Sequence, residues 1–357
     1  MIQKAPESSK TSFSRHFGGW ERRWKDRPKM NPRIEKVRLD DRDLLRICYL
    51  YYKEEKTQEE ISTLFGISRF KVNRLLKEAR DRGLVTIQIH DPLEKLTKME
   101  ASLAKKFGLR GAIVVRMSRY NGQSPEEQVG KVAAQYLSRI VRGYRVLGVS
   151  WGRTLYHVVT NVTPVEAKHL SVVQISGGLG TIEGTDTNIL TMMLSQKLGA
   201  TATVIQAPVI VRDRTTRDTL LQESRIREAL ARAREADLAI LGIGVVNREG
   251  GLWKAGFLNE KDEVRLKRAG AVGALCGRFY TREGEGCETD LDDRIVGLSL
   301  EELRKIHHKI GIATGREKAQ AISGALKGRL IDVLVTDEET AHLLLDEGEE
   351  RSKRSSR

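Results

Sequence analysis

From Gly111 to Asp337 the chain alternates two kinds of text, and this alternation constrains the fold more than any single residue does. Short β-rich runs ("GAIVVR", "YRVLGVS", "LSVVQIS", "TATVIQAPVIV", "DLAILGIGVV", "KIGIAT", "IDVLVT") are separated by stretches with helical spacing, such as "EEQVGKVAAQYLSRIV", "SRIREALARAREA", "LEELRKI" and "REKAQAISGALKG". Parallel strands need a long crossover, usually a helix, so the pattern predicts an α/β fold with a doubly wound, mostly parallel sheet. Such sheets bind ligands outside the carboxyl ends of their strands, where the strand order reverses. The glycine turns fall at those ends. "GVSWGRT" offers Gly148 and Gly152 for close approach, the hydroxyls of Ser150 and Thr154, and free N–H groups at a helix start, where an anion can be held. "QISGGLGT" places Gly177, Gly178 and Gly180 at another strand end, and "LGIGVV" places Gly242 and Gly244. "ATGREKAQAI" sets Lys318 in the first turn of a helix after a strand. None of these turns matches a dinucleotide fingerprint or a P-loop, so no NAD, ATP or other cofactor is expected.

Upstream, one segment is organised differently. In "TQEEISTLFGISRFKVNRLLKEARDRGLV", Thr57 and Glu60 have capping-box spacing, so a helix starts there. Ile61, Leu64 and Phe65 give it a buried face, Gly66 ends it at positive φ, and Ile67 plugs the turn. Ser68 caps the next helix. In that helix Val72, Leu75, Leu76 and Ala79 share one side, Arg69, Phe70, Asn73, Arg74 and Lys77 can share the other, and Gly83 closes it. Two short helices joined by a tight turn, the second with Arg and Asn exposed near its start, predict a helix-turn-helix. Arg can make two bonds to guanine and Asn two to adenine. The candidate DNA contacts are therefore Thr57, Gln58, Ser68, Arg69, Phe70, Lys71, Asn73, Arg74 and Lys77, with Lys71, Lys77 and Arg80 placed for phosphates. The bland alternative is a surface helical hairpin. Leu44, Ile47, Leu50 and Tyr51 mark an earlier helix, and "LVTIQIH" (Leu84–His90) alternates like a strand, a wing on the motif. Leu93, Leu96, Met99 and Leu103 then form a helical stripe, either a dimer seam or, as core packing favours, the first cover helix of the large domain.

Charge points the same way. The net charge is +14, and residues 1–90 hold 21 of the 62 Lys and Arg but only 13 of the 48 Asp and Glu. A polyanion partner at the N-terminal end explains that imbalance, and a solubilising tail over residues 1–38 explains it equally well. The expected organisation is a disordered basic tail (1–38), a helix-turn-helix, winged-helix-like domain (39–91), a large effector-binding and oligomerisation domain (92–346) and a second tail (347–357). No apolar run is long enough to span a bilayer, no signal core opens the chain, and Cys48, Cys276 and Cys287 lack metal-ligand spacing. A cytoplasmic protein without a metal site is expected.

From about residue 40 to 346 the chain resembles the SorC family of bacterial transcription regulators. The resemblance is carried by the helix-turn-helix segment and by "LGVSWGRTL", "ISGGLG", "LAILGIG", "GAVGALCGRF", "DDRIVGLSLEELRKI" and "REKAQAISGALKGRLIDVLVTDEETAHLLL", in that order. It implies a domain related in fold to sugar-phosphate isomerases that binds a sugar or phosphosugar effector, and a homotetramer or dimer of dimers that alters its grip on operator DNA. By position it implies a phosphate-holding turn of Gly148, Ser150, Gly152 and Thr154, with Gly177, Gly178 and Lys318 lining the same pocket. Two departures stand out. Ala274 replaces an acid of a "GAVGD"-like segment, and Phe279 to Gly284 ("FYTREG") replace an "FFD.DG" pattern, so either the effector is unusual or another group, such as Glu283, replaces the acid.

The leading reading is a sequence-specific, effector-controlled regulator of a carbohydrate operon, and not an enzyme. The alternative is a sugar-phosphate isomerase- or deaminase-like enzyme with an appended DNA-binding domain. Its acid–base candidates are Asp186, Asp290, Asp292, Glu283, His307 and His308, which form no catalytic pattern. Lys254 is its Schiff-base candidate, although a solvated surface lysine is the commoner case. A DNA-binding or assembly protein with a vestigial pocket is the third reading.

Overall fold

The computed structural model describes residues 39–87, 94–118, 122–180 and 185–347, in two units that divide between His90 and Asp91. The tail expected over residues 1–38, the end of the Leu84–His90 strand, Leu93 and residues 348–357 lie outside the described residues.

The first unit contains α1 (Asp41–Tyr52), α2 (Gln58–Phe65) and α3 (Arg69–Asp81). Asp40 with Asp43, and Thr57 with Glu60, form capping boxes at α1 and α2. Gly66 ends α2 at φ 62°, and the Ser68 side chain accepts from Lys71 N–H at the start of α3. Leu44, Ile47, Ile61, Phe65, Val72 and Leu76 meet in one apolar cluster. Two expectations need correcting. Leu64 is 51% exposed. Ile61 and Phe65, one turn apart, take the line that faces the core, and Leu64 falls off it. Leu84–Ile87 are not a strand. The N–H groups of Leu84 and Val85 both donate to the Ala79 carbonyl, closing α3 instead of joining a ladder.

In the second unit come α4 (Glu94–Phe107), β1 (Gly111–Val115), α5 (Pro125–Ile140), β2 (Val146–Val149), α6 (Arg153–Asn161), β3 (Ser171–Gln174), α7 (Thr187–Leu198) and β4 (Thr201–Thr203). These are followed by α8 (Arg214–Gln222), α9 (Ser224–Arg234), β5 (Leu238–Gly242), β6 (Gly244–Val245), α10 (Gly251–Lys254), α11 (Glu260–Arg268), β7 (Gly273–Leu275) and β8 (Arg278–Tyr280). The unit closes with α12 (Leu300–Lys305), β9 (His308–Ile312), α13 (Ala319–Lys327), β10 (Val333–Asp337) and α14 (Glu338–Asp346). Seven strands form one sheet, ordered β1-β10-β9-β5-β2-β3-β4, and every pairing in it is parallel. Its strands read as unbroken apolar runs because both faces are covered. Along β5, Leu238 and Ile240 join a cluster with α5, α6 and α7, while Ala239 and Leu241 join the opposite cluster with α4, α12, α13 and α14. Leu96, Met99 and Leu103 belong to this second cluster, so the stripe on α4 packs as a cover helix.

The chain runs from β2 outward through β3 to β4, then crosses to the other side of β2 for β5, β9 and β10. The order therefore reverses between β2 and β5, and "GVSWGRT" and "LGIGVV" follow those two strands. The run "DLAILGIGVV" is divided between two sheets, since β6 pairs antiparallel with β7 in a three-stranded sheet completed by β8. "TATVIQAPVIV" is a strand only over Thr201–Thr203. Beyond it isolated bridges join Pro208 to Gly178 and Ile210 to Ile295, as suits a segment whose proline cannot donate to a ladder.

Candidate functional site

In the first unit α3 presents two faces. Val72, Leu75, Leu76 and Ala79 are buried, and Arg69, Phe70, Asn73, Arg74 and Lys77 are exposed. The side chains of Arg69, Asn73, Arg74 and Lys77 make no hydrogen bond or ion pair with any described residue. Other candidates already have structural partners. The Thr57 hydroxyl donates to Glu60 Oε2 at 2.8 Å, and Ser68 caps α3. Gln58 is half-buried at the start of α2, and Lys71 is half-buried beneath the face. Arg80 reaches the Tyr52 hydroxyl, and Arg82 pairs with Asp41 at 2.8 Å, tying the end of α3 to α1.

In the second unit the β2–α6 turn lies at the sheet's switch point. Gly148 is a packing glycine: a Cβ there would stand 2.7 Å from Ile175 Cγ2. A Cβ on Gly242 would stand 2.6 Å from the Trp151 carbonyl, so the end of β5 nests against the β2–α6 turn only because it carries no side chain there. Ser150 and Thr154 are buried, and Ser150 Oγ has no partner of good hydrogen-bond geometry, although the Cys276 thiol lies beside it. Gly152, at φ 133°, precedes α6 and supplies no capping side chain. Ser124, Asp186, Asp213 and Asp337 do cap α5, α7, α8 and α14. The first bond of α6 runs from Tyr156 N–H to the Gly152 carbonyl at 2.9 Å, so the N–H groups of Arg153, Thr154 and Leu155 have no acceptor within the helix.

Lys318 is brought to this turn. It ends a 3-10 turn, Arg316–Lys318, and is half-buried. Burial holds its pKa below the usual lysine value and the nearby Arg153 pushes the same way, while Glu126 and Glu317 oppose them. Its ammonium makes no hydrogen bond or ion pair with any described residue. Glu126 instead pairs with Arg153 at 3.0 Å. Asp337 orders the backbone that carries Lys318. It accepts from Thr314 Oγ1 at 2.7 Å, Gly315 N–H at 3.0 Å and Thr340 Oγ1 at 2.6 Å. Burial alone would raise the Asp337 carboxyl, but these bonds hold it below its ordinary value.

Gly177 and Gly178 serve differently. Their N–H groups donate to Val296 O and Ala207 O, at 2.8 and 2.9 Å, so neither is free for a ligand. A Cβ on Gly177 would stand 2.5 Å from the Pro208 backbone, which accounts for the residue sterically. Glu283 does not replace the acid missing at Ala274. Its neighbour Gly284 packs on Gly324 and Gly328, toward the far end of α13 from Lys318. Ala274 pairs with Gly244 and lies in an apolar cluster with Leu252 and Phe279, against which Trp151 packs. The wall beside the turn is therefore apolar.

The acid–base candidates are dispersed. Asp186 accepts from Gly180 and Asn188 N–H, Asp290 pairs with Arg265, and Asp292 pairs with Arg278. His308 opens β9 at the opposite end of the sheet, where burial lowers its pKa and Tyr144 meets its Nδ1 at 2.5 Å. His307 sits beside it against Arg110. Lys254 is exposed and paired with Glu249 at 2.7 Å. At that same amino end a depression of about 380 Å³ is lined by Arg145, Val146, His169, Arg232, Glu235 and Asp237. Among the described residues no His, Cys, Asp and Glu cluster could hold a metal ion, and no helix is long and apolar enough to cross a membrane.

Sequence reasoning missed Trp151, Glu126, Arg153 and Asp337. Only Asp337 left a readable signal, as the capping residue of "TDEET" three positions before Thr340.

The model of a sugar-binding domain family matches residues 91–346. The chain is 30% identical over 323 residues to the deoxyribonucleoside regulator of Bacillus subtilis, covering 90% of this chain and 99% of that one. It is 32% identical over 313 residues to the sorbitol operon regulator of Klebsiella pneumoniae, covering 86% and 98%. Among solved structures, the full-length sorbitol operon regulator SorC from Klebsiella pneumoniae matches with a TM-score of 0.67 at 31% identity, over 86% of this chain and 100% of that one. A DeoR family transcriptional regulator from Listeria monocytogenes matches with a TM-score of 0.67 at 28% identity, over 70% and 100%.

Proposed function

The chain belongs to the SorC family of transcriptional regulators with a sugar-binding domain, and from that premise we propose that it reads operator DNA under the control of a sugar or sugar-phosphate effector. Residues 39–91 act as a helix-turn-helix domain. Helix α3 enters the major groove with Arg69, Asn73 and Arg74 at base edges and Lys77 at a phosphate. Residues 92–346 hold the effector and pair the reading helices, as a homotetramer or dimer of dimers, over a near-palindromic site in the cytoplasm. The reading includes no catalytic step.

The observation that carries this reading is the open start of α6 beside Lys318, which has no hydrogen-bond or ion-pair partner among the described residues. A helix N-terminus with free N–H groups favours an anion, and a half-buried ammonium without a partner favours one more strongly. Gly148 and Gly152 shape the turn, Ser150 and Thr154 offer hydroxyls, and Gly177 and Gly178 keep the neighbouring strand end close. The apolar wall at Ala274 faces the less polar side of the effector.

The test is thermal melting of the full chain with phosphorylated sugars and their free counterparts. A ligand of the folded state adds about 2.7 kcal/mol at a hundredfold excess over Kd. Stabilisation by phosphorylated sugars alone, with a change in DNA affinity, is the expected result. Stabilisation by free sugars alone would keep the sensor and remove the phosphate role of the turn, and no response to any sugar would overturn the proposal.

A further inference from the structure

Phe70 is 87% exposed, although Phe65 in the same unit is buried at 9%. It is the second residue of α3, and Phe70, Asn73, Arg74 and Lys77 stand at i, i+3, i+4 and i+7, a single stripe on the helix side away from the core. Leaving a phenyl ring in water gives up the stabilisation that burial brings. The ring therefore sits near the start of a helix on a stripe whose polar side chains, Asn73, Arg74 and Lys77, make no hydrogen bond or ion pair with any described residue. Its surroundings are cationic and amide-bearing, which suits a duplex and ill suits an apolar protein surface.

Resting on the DNA-reading role given above, we propose that Phe70 is a specificity-determining residue that packs on the C5-methyl group of a thymine in the operator half-site. The thymine methyl is the apolar feature that the major groove displays, and Phe is among the side chains that contact it. The stripe also fixes where that thymine lies. Phe70 and Asn73 are separated by about 4.5 Å of helix rise, against about 3.4 Å per base step. The thymine therefore stands one or two steps from the base read by Asn73, and adenine is the base that Asn prefers.

The test uses the full chain and duplexes selected by it from a random-sequence pool. Each thymine of the selected site is replaced in turn by deoxyuridine, which removes one methyl and nothing else. Binding of the unaltered protein should weaken about fourfold per half-site at one thymine, the worth of one buried methyl group. That position should lie within two steps of an adenine whose loss F70A and wild type feel equally and N73A does not feel. F70A should bind thymine and uracil sites alike while keeping its melting temperature, since Ala is the better helix former.

Equal binding of thymine and uracil sites by the unaltered protein would overturn the inference without recourse to any variant. So would an F70A protein that retains the uracil penalty, weakens on every duplex equally, or changes only its oligomeric state in sedimentation. Failure of the pool to yield any preferred sequence would overturn the DNA-reading role itself, a result distinct from the others.

Discussion

Lys318 is held in partial burial with no hydrogen bond or ion pair to any described residue, so its charged form opposes folding and favours ligand binding at the same time. Burial is the main cause of its lowered pKa, with Arg153 acting in the same direction. The unfolded chain keeps that proton to higher pH than the folded one does. The penalty is therefore fully present below the folded-state pKa and is relieved as pH rises through that pKa toward the ordinary lysine value. Lys318→Met should melt at a higher temperature than wild type without ligand, and should lose roughly ten- to hundredfold in affinity for a phosphorylated sugar, the worth of a hydrogen bond to a charged group. A bound anion favours the charged lysine, so binding takes up a proton wherever the free protein has lost it. Affinity of the wild type should fall as pH rises through the lowered pKa, starting below the usual lysine range, and the Met variant should lack that limb. Calorimetric titration at a series of pH values up to the ordinary lysine pKa measures both. A Met variant with unchanged affinity would remove Lys318 from the site.

Elements show how differently two glycines can constrain the chain. A Cβ on Gly66 or on Gly152 would meet no atom within 4 Å, so replacement by Ala costs only backbone strain in each case. Gly66 has φ 62°, a left-handed value that costs Ala about 1–2 kcal/mol. Gly152 has φ 133° with ψ 161°, a region almost confined to glycine, where a cost at the upper part of about 1–3 kcal/mol is expected. In urea unfolding of the full chain, G152A should therefore lose more than G66A and should also weaken sugar-phosphate stabilisation, because the start of α6 moves with it. Equal losses would mean that the turn relaxes freely. On α3, Arg74→Ala should cost about 1–3 kcal/mol of specific binding and relax the preference at one base pair. A uniform loss across sequences would make Arg74 a phosphate contact. The elements most legible in the sequence are those fixed by local chemistry: the Thr57–Glu60 box, Gly66, Ser68 and the strands whose apolar runs are covered on both faces. Local signals say less where distant chain decides. Leu64 was displaced by its neighbours on the helix, Ile205–Val211 was broken by Pro208, and Gly177 answers to a backbone thirty residues away. The Glu126–Arg153 pair joins two helix starts that no spacing rule connects, and Lys318 lies near it ahead of a third.

At the scale of the whole molecule, two functions in one chain imply a coupling that must be reciprocal. If a sugar effector changes DNA affinity by some factor, saturating DNA must change effector affinity by the same factor, commonly about 5- to 150-fold. The charge distribution allows the two functions to be perturbed separately. Lys77 is exposed on α3 without a partner among the described residues, and a lysine that neutralises one phosphate contributes about one to the slope of log affinity against log salt. Lys77→Ala should weaken binding on all duplexes alike and lower that slope by about one per reading helix, while the effector still changes DNA affinity by the wild-type factor. Lys318→Met should do the reverse, leaving the salt slope and the DNA affinity without effector unchanged while a given sugar-phosphate concentration loses its effect. Fluorescence anisotropy with a labelled operator, titrated with salt and with effector, reads all of these quantities. A Lys77 variant that alters the coupling factor would place that residue in the switch between states and not merely on the phosphate backbone, since phosphate attraction common to both states cannot bias the equilibrium between them.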